Sequence, residues 1–166
     1  MDTFVEQIVA IKKDGKVWFG YFLISLLAII LMAAALMIFG VYLFIVLSAL
    51  ICYGAFKLYS MFNIEYEYII TNSTMDIDKI IAKSSRKRSV SFDLTAVQRI
   101  EKFTGKVPAD IAKNCFFACN EKDENAYILY YKQEGKPLKA FVFAPNDKMI
   151  NGMKNFLPKH ICENLK

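Results

Sequence analysis

Four cations within six residues, Lys83, Arg86, Lys87 and Arg88, make the densest cationic cluster in the chain. Held against a bilayer, each such residue attracts anionic lipid headgroups with on the order of 1 kcal/mol before salt screening. The bland alternative is a solvated hairpin tip, and Arg86 to Ser89 also has the form of a phosphorylation site. Cys115, Cys119, His160 and Cys162 offer four soft metal ligands. A Cys-x-x-x-Cys pair followed about forty residues later by His-x-Cys lacks the close pairing of structural zinc sites, so the cysteines are expected to pack as small hydrophobes with no metal bound. Glu65, Glu67, Asp76, Asp78 and Asp93 fall at alternating positions. Such acids can hold a divalent ion or do acid-base chemistry, yet on strands they are ordinarily the wet face. The chain carries no Gly-rich phosphate loop, no nucleophile beside a base and a single histidine. These residues therefore predict no catalytic centre, no enzyme and no cofactor.

What must position these groups is a membrane anchor. Val17 to Phe56 hold no Asp, Glu, Lys, Arg, His or Pro, and Lys16 and Lys57 close the run. At roughly 1.5 Å per helical residue and a hydrocarbon core of about 30 Å, one crossing takes about twenty residues, so this run suits two. A cleaved leader is disfavoured by Asp2, Glu6 and Asp14 ahead of it, and by the further apolar residues that follow any small-residue site near Ala33. Gly40 is the expected turn of a hairpin spanning about 17–38 and 41–60, because glycine reverses the chain at least steric cost. Folding there sets Ser25 opposite Gly54 and Ala55, and Ala28 opposite Cys52, where two backbones can approach closely. One continuous helix, with the two flanks on opposite sides of the membrane, is the rival arrangement.

Trp18, Tyr21, Tyr53 and Tyr59 mark the two ends of the run as interfacial anchors. Lys12, Lys13, Lys16 and Lys57 flank it while the reversal carries no charge, so both termini are expected in the cytoplasm of a two-pass protein of the cell membrane. The formal charge of +5 comes from residues 57–166, with 18 Lys and Arg against 13 acids, since residues 1–16 balance three lysines with three acids. Four cysteines without a disulfide-like spacing suit a reducing compartment. Residues 1–16 are expected as an amphipathic helix on the membrane surface, with Thr3 to Glu6 as a capping box; a frayed leader is the alternative.

Residues 63–166 change to a two-residue period. Seven strands are expected: Ile64 to Thr71, Met75 to Ile81, Ser89 to Leu94 after the basic tip, Val97 to Phe103, Cys115 to Cys119, Ala126 to Lys132 and Leu138 to Ala144. Asn72 to Thr74, formally a glycosylation acceptor, reads as a polar turn, and Gln133 to Lys136 joins the last two strands. A helix opening at Pro145-Asn146-Asp147 repeats Met149, Ile150, Met153, Phe156 and Leu157 at helical spacing until Pro158. The aromatics of the second half, Phe116, Phe117, Tyr127, Tyr130, Tyr131, Phe141 and Phe143, could stack on single-stranded nucleic acid, but their alternation assigns them to the core, and no nucleic acid is expected as a partner.

Glu65-Tyr66-Glu67-Tyr68-Ile69-Ile70-Thr71-Asn72, then Met75 to Ile80, Arg86-Lys87-Arg88 and Val97 to Ile100 resemble the opening strands of bacterial PH-like domains that follow paired membrane spans. The whole chain is similar to an uncharacterised clostridial-type family of small membrane proteins. The resemblance implies a helical hairpin plus an α+β, mainly β, PH-like domain: a seven-stranded sandwich or partly open barrel capped by a C-terminal helix. It implies a fold and no ligand. The expectation is thus a membrane-tethered binding or scaffold module for a protein partner, a second copy or anionic lipid. The alternative is a small accessory subunit of a larger, transporter-like membrane assembly.

Overall fold

In the computed structural model, residues 3–120, 123–133, 135 and 137–162 are described. They form two compact units, one of the strands and C-terminal helices and one of the long apolar helix with the turn near residues 81–85.

In the first unit, β1 (Phe4–Ala10), β2 (Ile64–Thr71), β3 (Thr74–Ile81) and β4 (Ser85–Asp93) make one sheet in that spatial order. β5 (Val97–Lys102), β6 (Cys115–Phe117), β7 (Tyr127–Tyr131) and β8 (Lys139–Phe143) make the other, ordered β5-β7-β8-β6. Two four-stranded sheets replace the seven strands expected, and the added strand is β1. Residues 4–10 were expected as a surface helix. Instead they run antiparallel to β2, from Phe4 opposite Thr71 to Ala10 opposite Glu65. Val5, Gln7 and Val9 are half-buried while Phe4, Glu6, Ile8 and Ala10 are exposed, a period of two. A seven-residue segment with three β-branched positions has little helical preference of its own, and the free edge of β2 supplies a full ladder of partners.

The core lies between the sheets. Tyr68 of β2 meets Phe141 and Phe143 edge to face, Phe92 of β4 stacks on Tyr131 with centroids 4.3 Å apart, and Phe141 stacks on Phe116 and Phe143. The Tyr68 hydroxyl donates to the Ala118 carbonyl at 2.7 Å, so the phenol is buried with its polar end satisfied. All of β7 is buried, because Ile128 and Tyr130 pack on its second face with Ala140 and Val142 beneath Phe103, Val107, Ile111 and Phe117. A strand covered on both faces loses alternation and reads as an unbroken apolar run.

α2 (Asp147–Lys154) is capped by Asn146, whose Oδ1 accepts from the Met149 amide at 2.9 Å, and buries Met149, Gly152 and Met153. Pro158 separates it from α3 (Lys159–Cys162). β1 grips the start of α2: Gln7 Nε2 donates to the Ala144 carbonyl at 2.9 Å, and Gln7 Oε1 accepts from the Asn146 amide at 2.8 Å. Gly152 passes so near Val5 that an added Cβ would lie 2.9 Å from a Val5 methyl. Within the turn expected at Gln133 to Lys136, Glu134 and Lys136 fall outside the described residues.

The second unit is α1 (Gly15–Met61), long and apolar enough to cross a membrane. Its helical geometry breaks at Gly40, where φ is 67° and ψ 179°. That region is open essentially to glycine alone. Ser25 Oγ lies 2.6 Å from Tyr59 Oη, and the rings of Tyr21 and Tyr59 meet edge to face with centroids 5.1 Å apart.

Candidate functional site

Of the basic cluster only Lys83 lies in the hairpin turn. Only Ala82 to Ser84 turn the chain, Ala82 and Lys83 doing so at φ 55°, and β4 already runs from Ser85, so Arg86, Lys87 and Arg88 belong to a strand. The guanidinium groups of Arg86 and Arg88 lie over the acids of β2 and β3. Arg86 Nη1 is 2.8 Å from Glu67 Oε2, and its Nη2 donates to Oε1 at 3.1 Å. Arg88 Nη1 is 3.0 Å from Asp76 Oδ2, and its Nε donates to Asp78 Oδ1 at 3.2 Å. Two of the five acids expected as a wet face are therefore covered, Glu67 at 1% exposed and Asp78 at 6%, while Glu65 and Asp76 are half-buried and Asp93 stays exposed. Three cations against three carboxylates leave this strip near neutrality, with Lys87 the cation of β4 outside the pairing.

Glu67 sits at the crowded point of the lattice, directly opposite Ile8 in the β1–β2 register. Burial pushes its carboxyl up, a hydrogen bond with the Glu6 carboxyl adds to the rise, and the Arg86 guanidinium opposes both. Its Oε2 meets Arg86 as an ion pair without hydrogen-bond alignment. Asp76 Oδ1 is buried and likewise accepts no hydrogen bond. Asp78 and then Asp76 hold the Arg88 guanidinium above its ordinary value.

The other singled-out residues lie elsewhere. Asp93 is a local cap: Oδ1 accepts from the Thr95 amide at 2.8 Å and its hydroxyl at 2.7 Å, and Oδ2 from Ser73 Oγ at 3.0 Å, which holds the carboxyl below its usual range. Cys119 is buried in the cluster behind β7, where burial pushes its thiol up to about 12. Cys115 is half-buried and its thiol is also raised by burial. Cys162 points at the carbonyls of Lys154, Leu157 and Pro158 at 3.7–3.9 Å. Among the described residues no three His, Cys, Asp or Glu side chains converge on a point that would hold a metal.

In the second unit, Trp18 and Tyr53 are exposed, and Trp18 meets Tyr21 edge to face. Lys13 Nζ stands 4.9 Å above the Tyr21 ring and Lys57 Nζ 5.8 Å above that of Tyr53. A cleft of about 400 Å³ is lined by Lys13, Tyr21, Phe56, Tyr59, Ser60 and Asn63. Sequence reasoning used Lys13 only to orient the chain and missed Ser60 and Asn63. The available signal was a lysine and an amide placed just beyond either end of the apolar run.

No curated protein and no solved structure matches the chain. A family model described as "Bacterial PH-like domain (DUF6106)" matches residues 1–163, which takes in β1, α1 and both sheets. With nearly its whole length matched, the chain belongs to that bacterial PH-like domain family.

Proposed function

We propose that this protein is a two-pass, membrane-tethered PH-like module, with both flanks of α1 and the β domain on the cytoplasmic face, working by recognition of a protein or anionic-lipid partner rather than by catalysis. The observation that carries this reading is the pairing of β1 with β2, which brackets α1. The chain leaves the sheet at Ala10 and re-enters it at Glu65, and those two residues face each other across the ladder. A straight helix over Gly15–Met61 would be about 70 Å long, far more than the few residues on either side can bridge. Reversal at Gly40 resolves this, and the contacts of Ser25 with Tyr59 and of Tyr21 with Tyr59 fit two antiparallel spans. Lysines at the flanks and none near Gly40 favour the cytoplasmic side for the domain.

The test is sidedness. Reporters at the N-terminus, beside Gly40 and at the C-terminus should read cytoplasmic, outside and cytoplasmic. Termini on opposite sides would overturn the proposal.

A second reading, a small subunit of a larger membrane assembly, draws on an apolar groove of about 170 Å³ on α1, where Ala28, Gly54 and Ala55 leave room for the side chains of another helix. Partners retained by a variant with a disrupted β domain would favour it.

A further inference from the structure

We infer that the cleft between Lys13, Tyr21, Phe56, Tyr59, Ser60 and Asn63 is a binding site for the phosphate headgroup of a membrane phospholipid, with preference for an anionic lipid. The inference rests on the two-pass reading above, because it needs the ends of α1 to lie at headgroup depth.

Position is the first support. Lys13 precedes the first apolar residue of α1 by four positions, Asn63 follows its last residue by two, and Trp18, Tyr21, Tyr53 and Tyr59 cluster at the same end. Aromatic rings at span ends sit where acyl chain gives way to headgroup, so the cleft opens at the depth of the lipid phosphates. Chemistry is the second. Lys13 offers three donors; it stands over the face of Tyr21, and no carboxylate pairs with it among the described residues. The side-chain amide of Asn63 makes no hydrogen bond among the described residues, while its backbone is fully engaged, the amide donating to the Ser60 carbonyl at 3.0 Å and the carbonyl accepting from Ala82 at 2.9 Å. The amide is therefore held in place with its donors unspent.

Two further hydroxyls of the cleft are already engaged. Ser60 Oγ donates to the Phe56 carbonyl at 2.9 Å, and Tyr59 Oη is hydrogen-bonded to Ser25. The phosphate would thus be received by a cation and an amide, while the Tyr21 and Phe56 rings cover the glycerol and the first carbons of the chains. A volume of about 400 Å³ falls within the range of small-ligand clefts, roughly 300–1,000 Å³. Lys12 and Lys16 raise the local potential around the cleft, which favours a lipid with net negative charge.

The experiment uses the full chain in nanodiscs and its single tryptophan, Trp18, beside the cleft. Brominated phosphatidylglycerol, titrated against unlabelled phosphatidylcholine, should quench Trp18 more strongly than brominated phosphatidylcholine does. Lys13→Gln should reduce that preference about fivefold, the contribution of one cation to an anionic headgroup, and Asn63→Ala should reduce it further. Lys57→Gln removes the same charge near the same end of α1 but outside the cleft, where the lysine stands over Tyr53, and should leave most of the preference. Glycerol 3-phosphate should compete poorly, because it lacks the acyl chains that the aromatic walls cover; full competition would assign the cleft to a free phosphate ester and overturn the lipid assignment. Equal losses in Lys13→Gln and Lys57→Gln, or no preference in the native chain, would overturn the site and leave the two-pass reading standing. A chain that does not enter the bilayer, its Trp18 unquenched by either lipid, would overturn both.

Discussion

Arg86→Met should destabilise the β domain in a pH-dependent way. The substitution keeps the apolar stem and removes the charge that faces Glu67. Glu67 is 1% exposed and Arg86 lies 2.8 Å away with its own side chain 55% exposed. An ion pair with one partner half in water gains little by itself, about 0–1 kcal/mol. The larger part of the cost is the carboxylate left covered without a counterion, about 1–3 kcal/mol for an unsatisfied buried group and more for a full charge. With solvent reaching Arg86, we take the lower half, about 1–2 kcal/mol, or a Tm lower by about 5–10 °C for a domain of this size. Because burial and the Glu6 contact raise the Glu67 carboxyl above its ordinary value of 4.5, the folded state binds more protons than the unfolded one just above that pH. Stability from this group therefore falls as pH rises through the window, and Arg86 offsets the fall. The contribution of Arg86 should be larger at pH 7.5 than at pH 4, below the raised Glu67 carboxyl, where a protonated Glu67 needs no counterion. Near-UV circular dichroism melting of the full chain in detergent reads the packed aromatics of the sheets at both pH values. An equal loss at pH 4 and 7.5, or an equal loss in a Glu67→Gln background, would refute the reasoning.

Two further outcomes follow from the way β1 and α1 are held. Gln7→Ala removes both hydrogen bonds between β1 and the start of α2 and should cost about 1–2 kcal/mol, seen as faster hydrogen exchange at the amides of α2; unchanged protection there would show that the clamp is idle. Gly40→Ala puts a Cβ at φ 67° and ψ 179°, which costs about 1–3 kcal/mol, and should lower bis-thiol cross-linking between cysteines placed at 25 and 59 in the membrane-embedded chain; an undiminished yield would show that the reversal does not depend on glycine.

The interrupted helix has a practical consequence. Residues 63–166 were the natural fragment for isolating the domain by sequence, yet such a fragment lacks β1. It would expose the edge of β2, remove the Gln7 clamp and uncover Gly152 where Val5 packs. An exposed strand edge invites pairing between chains. A fragment that keeps the first sheet whole would join residues 3–11 to 64–162 through a short turn in place of α1, as the Ala10–Glu65 pairing allows.

By itself the sequence determined whatever depends on local composition and length. The uncharged run, its flanking lysines and aromatics, and Gly40 as its weak point can be read residue by residue, as can the two-residue periods of β2, β3 and the end of β4 and the helical spacing of α2. The tertiary structure decided what depends on partners distant along the chain. Phe4–Ala10 suits a short helix or a strand, and the free edge of β2, more than fifty residues on, selects the strand. Arg86 to Arg88 look like a soluble tip because charge ordinarily seeks water; the carboxylates of Glu67, Asp76 and Asp78 across the sheet draw them into a ladder and cancel most of their charge. Alternation places a side chain on a face but does not say what covers that face, so the burial of Glu67 and the cleft at Lys13 and Asn63 emerge only in the tertiary structure.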